Sequence, residues 1–403
     1  VYYHAVLVVD MDLNFYTSGP EYCRPYRAEG VEREMPVGSL PPDLDYGEEL
    51  LALLGDPNLC SREYVVRQYD HQVRGATVVP PLAGTVGHAG PQDACVLSPI
   101  EGSPRGVAIS TAFNPRLTSV DPYRGGLSIV DEMCRNLLAV GARPHSMTNC
   151  LNFGNPEVPE RLGEFVETLR GMGEALQHLD LPAPSGNVSF YNETAESYVP
   201  PTASMMGAGL MDDASKAVTS DLKASGNRLY LVGRTRDQMA GSALYARHDA
   251  PHRFAPDVDL PALSASMEAI LEAVGKGWLE SCHDVSDGGL AVALAEMCIG
   301  GQLGADVDTG PLGKLRPVAQ LFSESNTRWV LEVRGVRARH LERLFTRHGV
   351  ELTHIGKVAA RPARSKGRTG PALRIAQGRR VLLNVPVEEL EAAWNGTFWE
   401  LMG

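Results

Sequence analysis

The chain has 403 residues, 43% of them hydrophobic, with 41 glycines and 28 prolines, so it is too long for one ordinary core and too apolar to be disordered. Its 37 basic residues against 49 acidic ones give a formal charge of −12. That balance excludes a general nucleic-acid or anionic-membrane surface and requires any bound phosphate to be held locally, by backbone N–H groups or a metal.

Seven singly scattered cysteines without a CxxC pair read as the reduced thiols of a cytoplasmic protein, and no apolar run is long enough to span a bilayer. "VYYHAVLVVDMD" lacks the basic start and small-residue cleavage site of a signal peptide, and a first residue that is Val1 suggests a fragment. Residues 1–45, rich in Pro, Gly and charge, read as a lead-in or linker. From Tyr46 a helical period sets in, with Leu50, Leu51, Leu53 and Leu54 before Gly55 and Asp56 end it. "RQYDHQVRG" (Arg67 to Gly75) is polar and aromatic, and its chemistry alone assigns it no role. "TVVPPLAGTVGH" and "RGVAISTAF" have the β-branched character of strands.

"DPYRGG" (Asp121 to Gly126) opens the clearest helix, in which Ile129, Met133, Leu137 and Leu138 share a face and Gly141 takes the C-cap region. Gly125 and Gly126 could expose N–H groups to an anion, but capping by Asp121 is the stronger account. "TNCLNFGNPEVPE" (Thr148 to Glu160) is dense in amides: Asn149, Asn152 and Asn155 can hold backbone or a ligand. A second amphipathic helix, "ERLGEFVETLRGMGEALQHLDLP", leads to "PSGNVSFYNE". There Gly186 lets backbone approach a ligand, Asn187 offers a neutral oxygen to Mg²⁺, and Ser189 offers a hydroxyl; a polar turn is the equal competitor. No Walker pattern occurs. "ASMMGAGLMDD" reads as a buried strand.

Composition shifts near residue 215, where "DDASKAVTSDLKASGNR" interrupts structure before the strand "NRLYLVGRT". A helix with Leu263, Met267, Ile270 and Val274 follows, then "HDVSDGGLAVALAE". His283 and Ser286 there do not make a nucleophile elbow, which needs GxSxG; Ser286 or Asp287 is expected to cap the helix after Gly288. "LFSESNTRWVLEV" sets Glu324 and Arg328 beside a strand, as an ion pair or a contact loop. "HIGKVAA" and "RRVLLNV" read as edge strands, and "SKGRTG" (Ser365 to Gly370) as a basic hairpin tip. Alternating strands and helices with short connections predict a two-lobed α/β or α+β protein.

The order of "RQYDHQVRGATV", "DPYRGG", "CRNLLAVGARP", "CLNFGNPEVPE", "SGNVSFYNET", "HDVSDGGLAVALAE" and "LFSESNTR" resembles the C-terminal half of the phosphoribosylformylglycinamidine synthase (formylglycinamide ribonucleotide amidotransferase) synthetase subunits, from about Pro20 onward. These belong to the aminoimidazole ribonucleotide synthetase-like superfamily. The resemblance implies an α+β unit of two lobes: a linker over 1–45, a nucleotide-binding domain over 46–215 and a C-terminal α/β domain over 216–403. It implies ATP and Mg²⁺ as cofactors and formylglycinamide ribonucleotide as substrate, its amide oxygen activated as an iminophosphate that ammonia displaces. The implied partners are a glutaminase subunit, a small bridging subunit and an N-terminal half; neither nucleic acid nor membrane is among them. Position by position, the resemblance gives Asn149 and Gly186 to ATP, Asn187 to Mg²⁺ and Ser189 to substrate. Asn149 departs from the pattern, which usually has aspartate there, and no catalytic residue is matched in this half. A non-catalytic scaffold with an auxiliary structural nucleotide is the alternative.

Overall fold

The computed structural model describes residues 1–19, 21–28, 38–250, 255–359 and 370–402. The basic stretch from Ser365 lies outside them up to Gly370. Helix α1 (Tyr46–Leu54) is capped by Asp45, whose carboxylate accepts the amides of Gly47 and Glu48. A first sheet then gathers β1 (Thr77–Val79), β2 (Cys95–Leu97), β3 (Gly106–Ala112), β4 (Arg143–Asn152), β5 (Ser185–Ser189) and β6 (Thr202–Met211). Its order is β1-β2-β3-β6-β4-β5, antiparallel except for the β4–β5 pair. The run from Ser185, readable as a turn, is therefore an exposed edge strand.

Alternation along β6 buries Ala203, Met205, Gly207, Gly209 and Met211 and turns Met206 and Leu210 outward. The buried side lies under α2 (Pro122–Ala139), with α3 (Pro159–His178) along it. Asp121 does cap α2, by accepting the Arg124 amide. Gly125 and Gly126 are packing residues: a Cβ on Gly126 would collide with the Thr168 carbonyl of α3. The chain leaves α2 through Gly141 at φ +86°.

A second sheet holds β7 (Arg228–Val232), β8 (Ser281–Asp284), β9 (Ala305–Asp308), β10 (Trp329–Val333), β11 (Leu352–Val358), β12 (Ala372–Gln377) and β13 (Arg380–Pro386). The order is β8-β10-β7-β11-β9-β12-β13, with β9–β12 its parallel pair. The segment "HIGKVAA" is thus, as far as Val358, part of an interior strand between β7 and β9, not an edge, and its Ala360 lies outside the described residues; "RRVLLNV" does lie at the edge. The exposed His354 and Lys357 gave "HIGKVAA" the polarity of an edge, but both neighbouring strands bond to it.

Both faces of this sheet are covered, and β7 shows it by period-two alternation. Leu229 and Leu231 join a core with α5 (Gly289–Gly301) and α7 (Val387–Met402), whereas Tyr230 and Val232 face α4 (Leu260–Gly275) and α6 (Ala338–Arg347). The second of these cores also contains Ile129, Met133 and Leu138 of α2, so α2 is sandwiched between the two sheets. Helix α1, expected to begin the first unit, instead puts Leu50, Leu53 and Leu54 into the second sheet's core beside Val385 and Trp394. Its apolar stripe finds its complement on α7, where Thr397 donates to the Gly55 carbonyl.

Candidate functional site

The densest buried chemistry lies where α2 meets the end of β8. All four residues of β8 are buried although the strand ends the second sheet beside β10, with Cys282 sharing a core with α2. His283 is clamped there: Nδ1 stands 2.7 Å from Asp93 Oδ1 and Nε2 3.0 Å from Glu296 Oε2 of α5. Burial opposes its charge, but the two carboxylates hold its pKa well above the ordinary value. Asp284 receives Arg135 Nη1 of α2 at 2.8 Å. Burial pushes the Asp284 carboxyl up to about 7 against the pull of Arg135, and nearby Asp93 adds to the rise. Ligand atoms of Asp93, His283 and Asp284 all lie within 4.8 Å of one another.

Arg135 connects this cluster to a cavity between the lobes, lined among others by Ser128, Glu132, Ser286, Asp287, Glu324 and Asn326. Glu132 points from α2 with no hydrogen bond among the described residues, and burial raises its carboxyl well above the usual range. Asp287 pairs with Arg116 at 2.8 Å. Glu324 accepts the amides of Ala243 and Gly288, each at 2.8 Å, and burial with Asp287 nearby pushes it up to about 8. Chemically the arrangement stores several carboxylates out of water with too few arginines to balance them. Such a set holds protons or takes up a cation.

The expected cap is absent. Gly288 precedes α5 at φ +78° and no side chain caps the helix; Ser286 turns to Asp284, and Asp287 to Arg116. The left-handed glycine turns the backbone so that Glu324, from another loop, receives the Gly288 amide instead. Nor do Glu324 and Arg328 pair with each other, since Arg328 donates to the carbonyls of Ser323 and Ser325 and to Thr235.

Asn149, Gly186, Asn187 and Ser189 lie elsewhere, on the β4–β5 pair. Parallel register sets Asn149 opposite Gly186, and a Cβ on Gly186 would collide with Asn149 Oδ1. The missing side chain is what lets the amide lie over the neighbouring backbone. Asn187 and Ser189 belong to the opposite face by strand alternation, in rows with Cys150 and Asn152. Asn187 is exposed, and Ser189 Oγ donates to Asn192 Oδ1 at 3.0 Å. The four positions are thus brought to one strand pair but divided between its two faces.

Reading the sequence alone passes over Asp93 and Glu132. The one available signal is that Asp131, Glu132 and Arg135 interrupt α2 between Val130 and Leu137, on a helix with apolar residues on nearly every side. Charges in such a place must be partnered or functional.

The family model described as AIR synthase related protein, N-terminal domain, matches residues 91–211, and that for the C-terminal domain matches 224–365. Together the two cover well over half of the chain. Phosphoribosylformylglycinamidine synthase subunit PurL of Thermoplasma acidophilum is 37% identical over 98% of this chain and 50% of its own length. The chain therefore spans about half the length of the curated relatives it matches. Solved structures with a similar fold include T. maritima PurL complexed with ATP, at TM-score 0.65 and 19% identity over 87% of this chain and 52% of that one. The same protein complexed with FGAR gives TM-score 0.67 at 18% identity over 85% and 53%. The structure of PurLQS from Thermotoga maritima gives 0.61 at 20% over 79% and 48%.

Proposed function

The chain belongs to the AIR synthase related family as a PurL-like member, and from that premise we propose that it is the C-terminal half of an ATP-dependent synthetase converting formylglycinamide ribonucleotide to formylglycinamidine ribonucleotide in purine biosynthesis. Its complement is an N-terminal half, with a glutaminase and a small bridging subunit as ammonia-supplying partners in the cytoplasm. The division into a nucleotide-binding unit and a C-terminal unit near residues 211–226 is part of the same proposal. Among the described residues, no helix is long and apolar enough to cross a membrane.

The observation that carries the reading is the β4–β5 pair. Asn149 and Gly186 present an amide and bare backbone suited to a nucleotide, and Asn187 and Ser189 face outward from an uncovered sheet side. Magnesium, when bound with ATP, supplies charge neutralisation at the transferring phosphate. Asn187 offers it one neutral oxygen, while its cross-strand row holds only Cys150 and Ser204, so further ligands have to come from the opposite half. Ser189 would orient substrate, with Asn192 fixing its hydroxyl. Calorimetry tests the reading: Asn187→Ala should weaken Mg-ATP binding by about tenfold or more in the assembled protein, with stability within about 0.5 kcal/mol of the parent because the side chain is exposed. Equal affinity would leave Asn187 a plain strand residue.

A second reading, an auxiliary structural nucleotide site, is favoured by the Asp93–His283–Asp284 cluster. Its oxygen donors fit a hard cation: Asp93 and Asp284 converge, and Glu132 lines the adjoining cavity with no hydrogen bond among the described residues. His283, bonded through both ring nitrogens, serves to hold Asp93 and Glu296 in place.

A further inference from the structure

The loop from Ser323 to Arg328 is fixed more completely than a connection between a short helix and a strand requires. Thr327, buried and β-branched, stands at φ +57°, in the left-handed region that such residues avoid. A backbone of this kind persists only where its surroundings over-determine it. Asp131 of α2 does so, accepting the Thr327 amide at 3.0 Å and its hydroxyl at 2.5 Å. The same carboxylate receives Arg135 Nε at 2.6 Å, and Arg135 in turn holds Asp284. Below the loop, Arg328 is fully buried and makes three hydrogen bonds, none of them to a carboxylate. Asn326 is tied to Ser128 of α2 at 2.8 Å. A loop of the second lobe is therefore held in a strained form by a helix that packs on the first sheet, and the residues it presents to the cavity are Glu324 and Asn326.

We propose that Asp131 and Thr327 are positioning residues: through their paired hydrogen bonds the lobe contact sets the Ser323–Arg328 loop, and with it the place of Glu324 in the interlobe cavity. Asp131 is the node, because one carboxylate orders both this loop and, by way of Arg135, the Asp284 carboxylate. If α2 withdraws from the second sheet, the strain at Thr327 has nothing to oppose it, and Glu324 releases the two amides that it holds. The consequence for ligands rests on the cavity being a cation and nucleotide site; the positioning itself does not.

Hydrogen exchange on the whole chain reads the positioning directly, at the Gly288 and Ala243 amides that Glu324 accepts. Thr327→Ala removes the hydroxyl bond, and both amides should exchange at least about tenfold faster although each is far from residue 327 in sequence. Thr327→Ser keeps the hydroxyl and should restore slow exchange. Asp131→Asn should reproduce the alanine result; should it fail to fold, the alanine and serine pair still decides. Parent-like exchange at both amides in Thr327→Ala would overturn the proposal. Mn²⁺ titration separates it from the ligand reading. Binding by the parent that drops about tenfold in Thr327→Ala supports both, whereas a parent that binds no Mn²⁺ removes the cavity reading and leaves the exchange result to stand by itself.

Discussion

His283, Asp284 and Glu324 are three buried groups whose proton affinities all rise on folding, and this sets the sign of the pH response. For each, the stabilising term is fully present below the unfolded pKa and is lost as pH climbs through the folded one. Asp284 and Glu324 start from ordinary carboxylate values and reach about 7 and about 8, so the loss spans roughly pH 4 to 8. Glu272, held down to about 2 by Arg347 first and His348 next, acts only below that window. The metal-free chain should therefore melt lower at pH 8.5 than at pH 5.5, by an amount on the order of 2–4 kcal/mol in stability. A divalent cation that replaces the protons should restore more at the higher pH, and Asp284→Asn should flatten both effects. Thermal scans with and without Mn²⁺ check this; a melting temperature that rises with pH and ignores Mn²⁺ would contradict the role given to the cluster. Little of it was legible beforehand. The "HD" of the "HDVSDGG" stretch was visible, but Asp93 comes from a connection 190 residues away, and no local pattern announces that pairing.

At the scale of elements, α2 does the most. It packs on the first sheet through Met133, on α3 through Gly126, and on the second sheet through Asp131 and Arg135. Trp329 of β10 adds a bond from Nε1 to the Arg135 carbonyl at 3.1 Å. Gly126→Ala should therefore force α2 and α3 apart, since the obstructing atom is backbone, at a cost of about 1–3 kcal/mol in chemical denaturation. Parent-like stability would mean that the helices separate freely. The helices themselves were readable by their 3.6-residue period where one face stays polar, as on α3, and by a long apolar run where neither does, as on α5. One strand was misplaced and another left open. Leu352–Val358 is interior but carries polar residues, so hydrophobicity misreports where it sits, whereas Ser185–Ser189 is polar and exposed at an edge, where polarity does not tell a strand from a turn. The capping role expected of Ser286 or Asp287 failed because the left-handed Gly288 gives its amide to a carboxylate from another loop.

At the scale of the molecule, the first sheet has one face under α2 and the other uncovered among the described residues, with Met206 and Leu210 at 43% and 47% exposure. The outward rows of that uncovered face carry Thr111, Thr148 and Cys150 together with Asn187 and Ser189. Transition-state stabilisation in phosphoryl transfer needs metal and cationic groups fixed around the moving phosphate. On the facing rows of this strand pair the chain offers amides, hydroxyls and bare backbone without an acid, while Asp93 and Asp284 lie in the buried cluster. On the proposed function, a site of that composition orients a nucleotide or substrate from one side, with its charge balance completed from the other. The match to only half the length of its relatives agrees with that division of parts. The expected outcome is that the 403-residue chain releases no ADP in response to formylglycinamide ribonucleotide, even with ammonia supplied in place of a glutaminase. Addition of a polypeptide matching the other half of the relatives should then give substrate-stimulated ADP release, and Asn187→Ala should depress it. Turnover by the chain alone would place the missing charges within it, and the buried acidic cluster would become the first place to look for them.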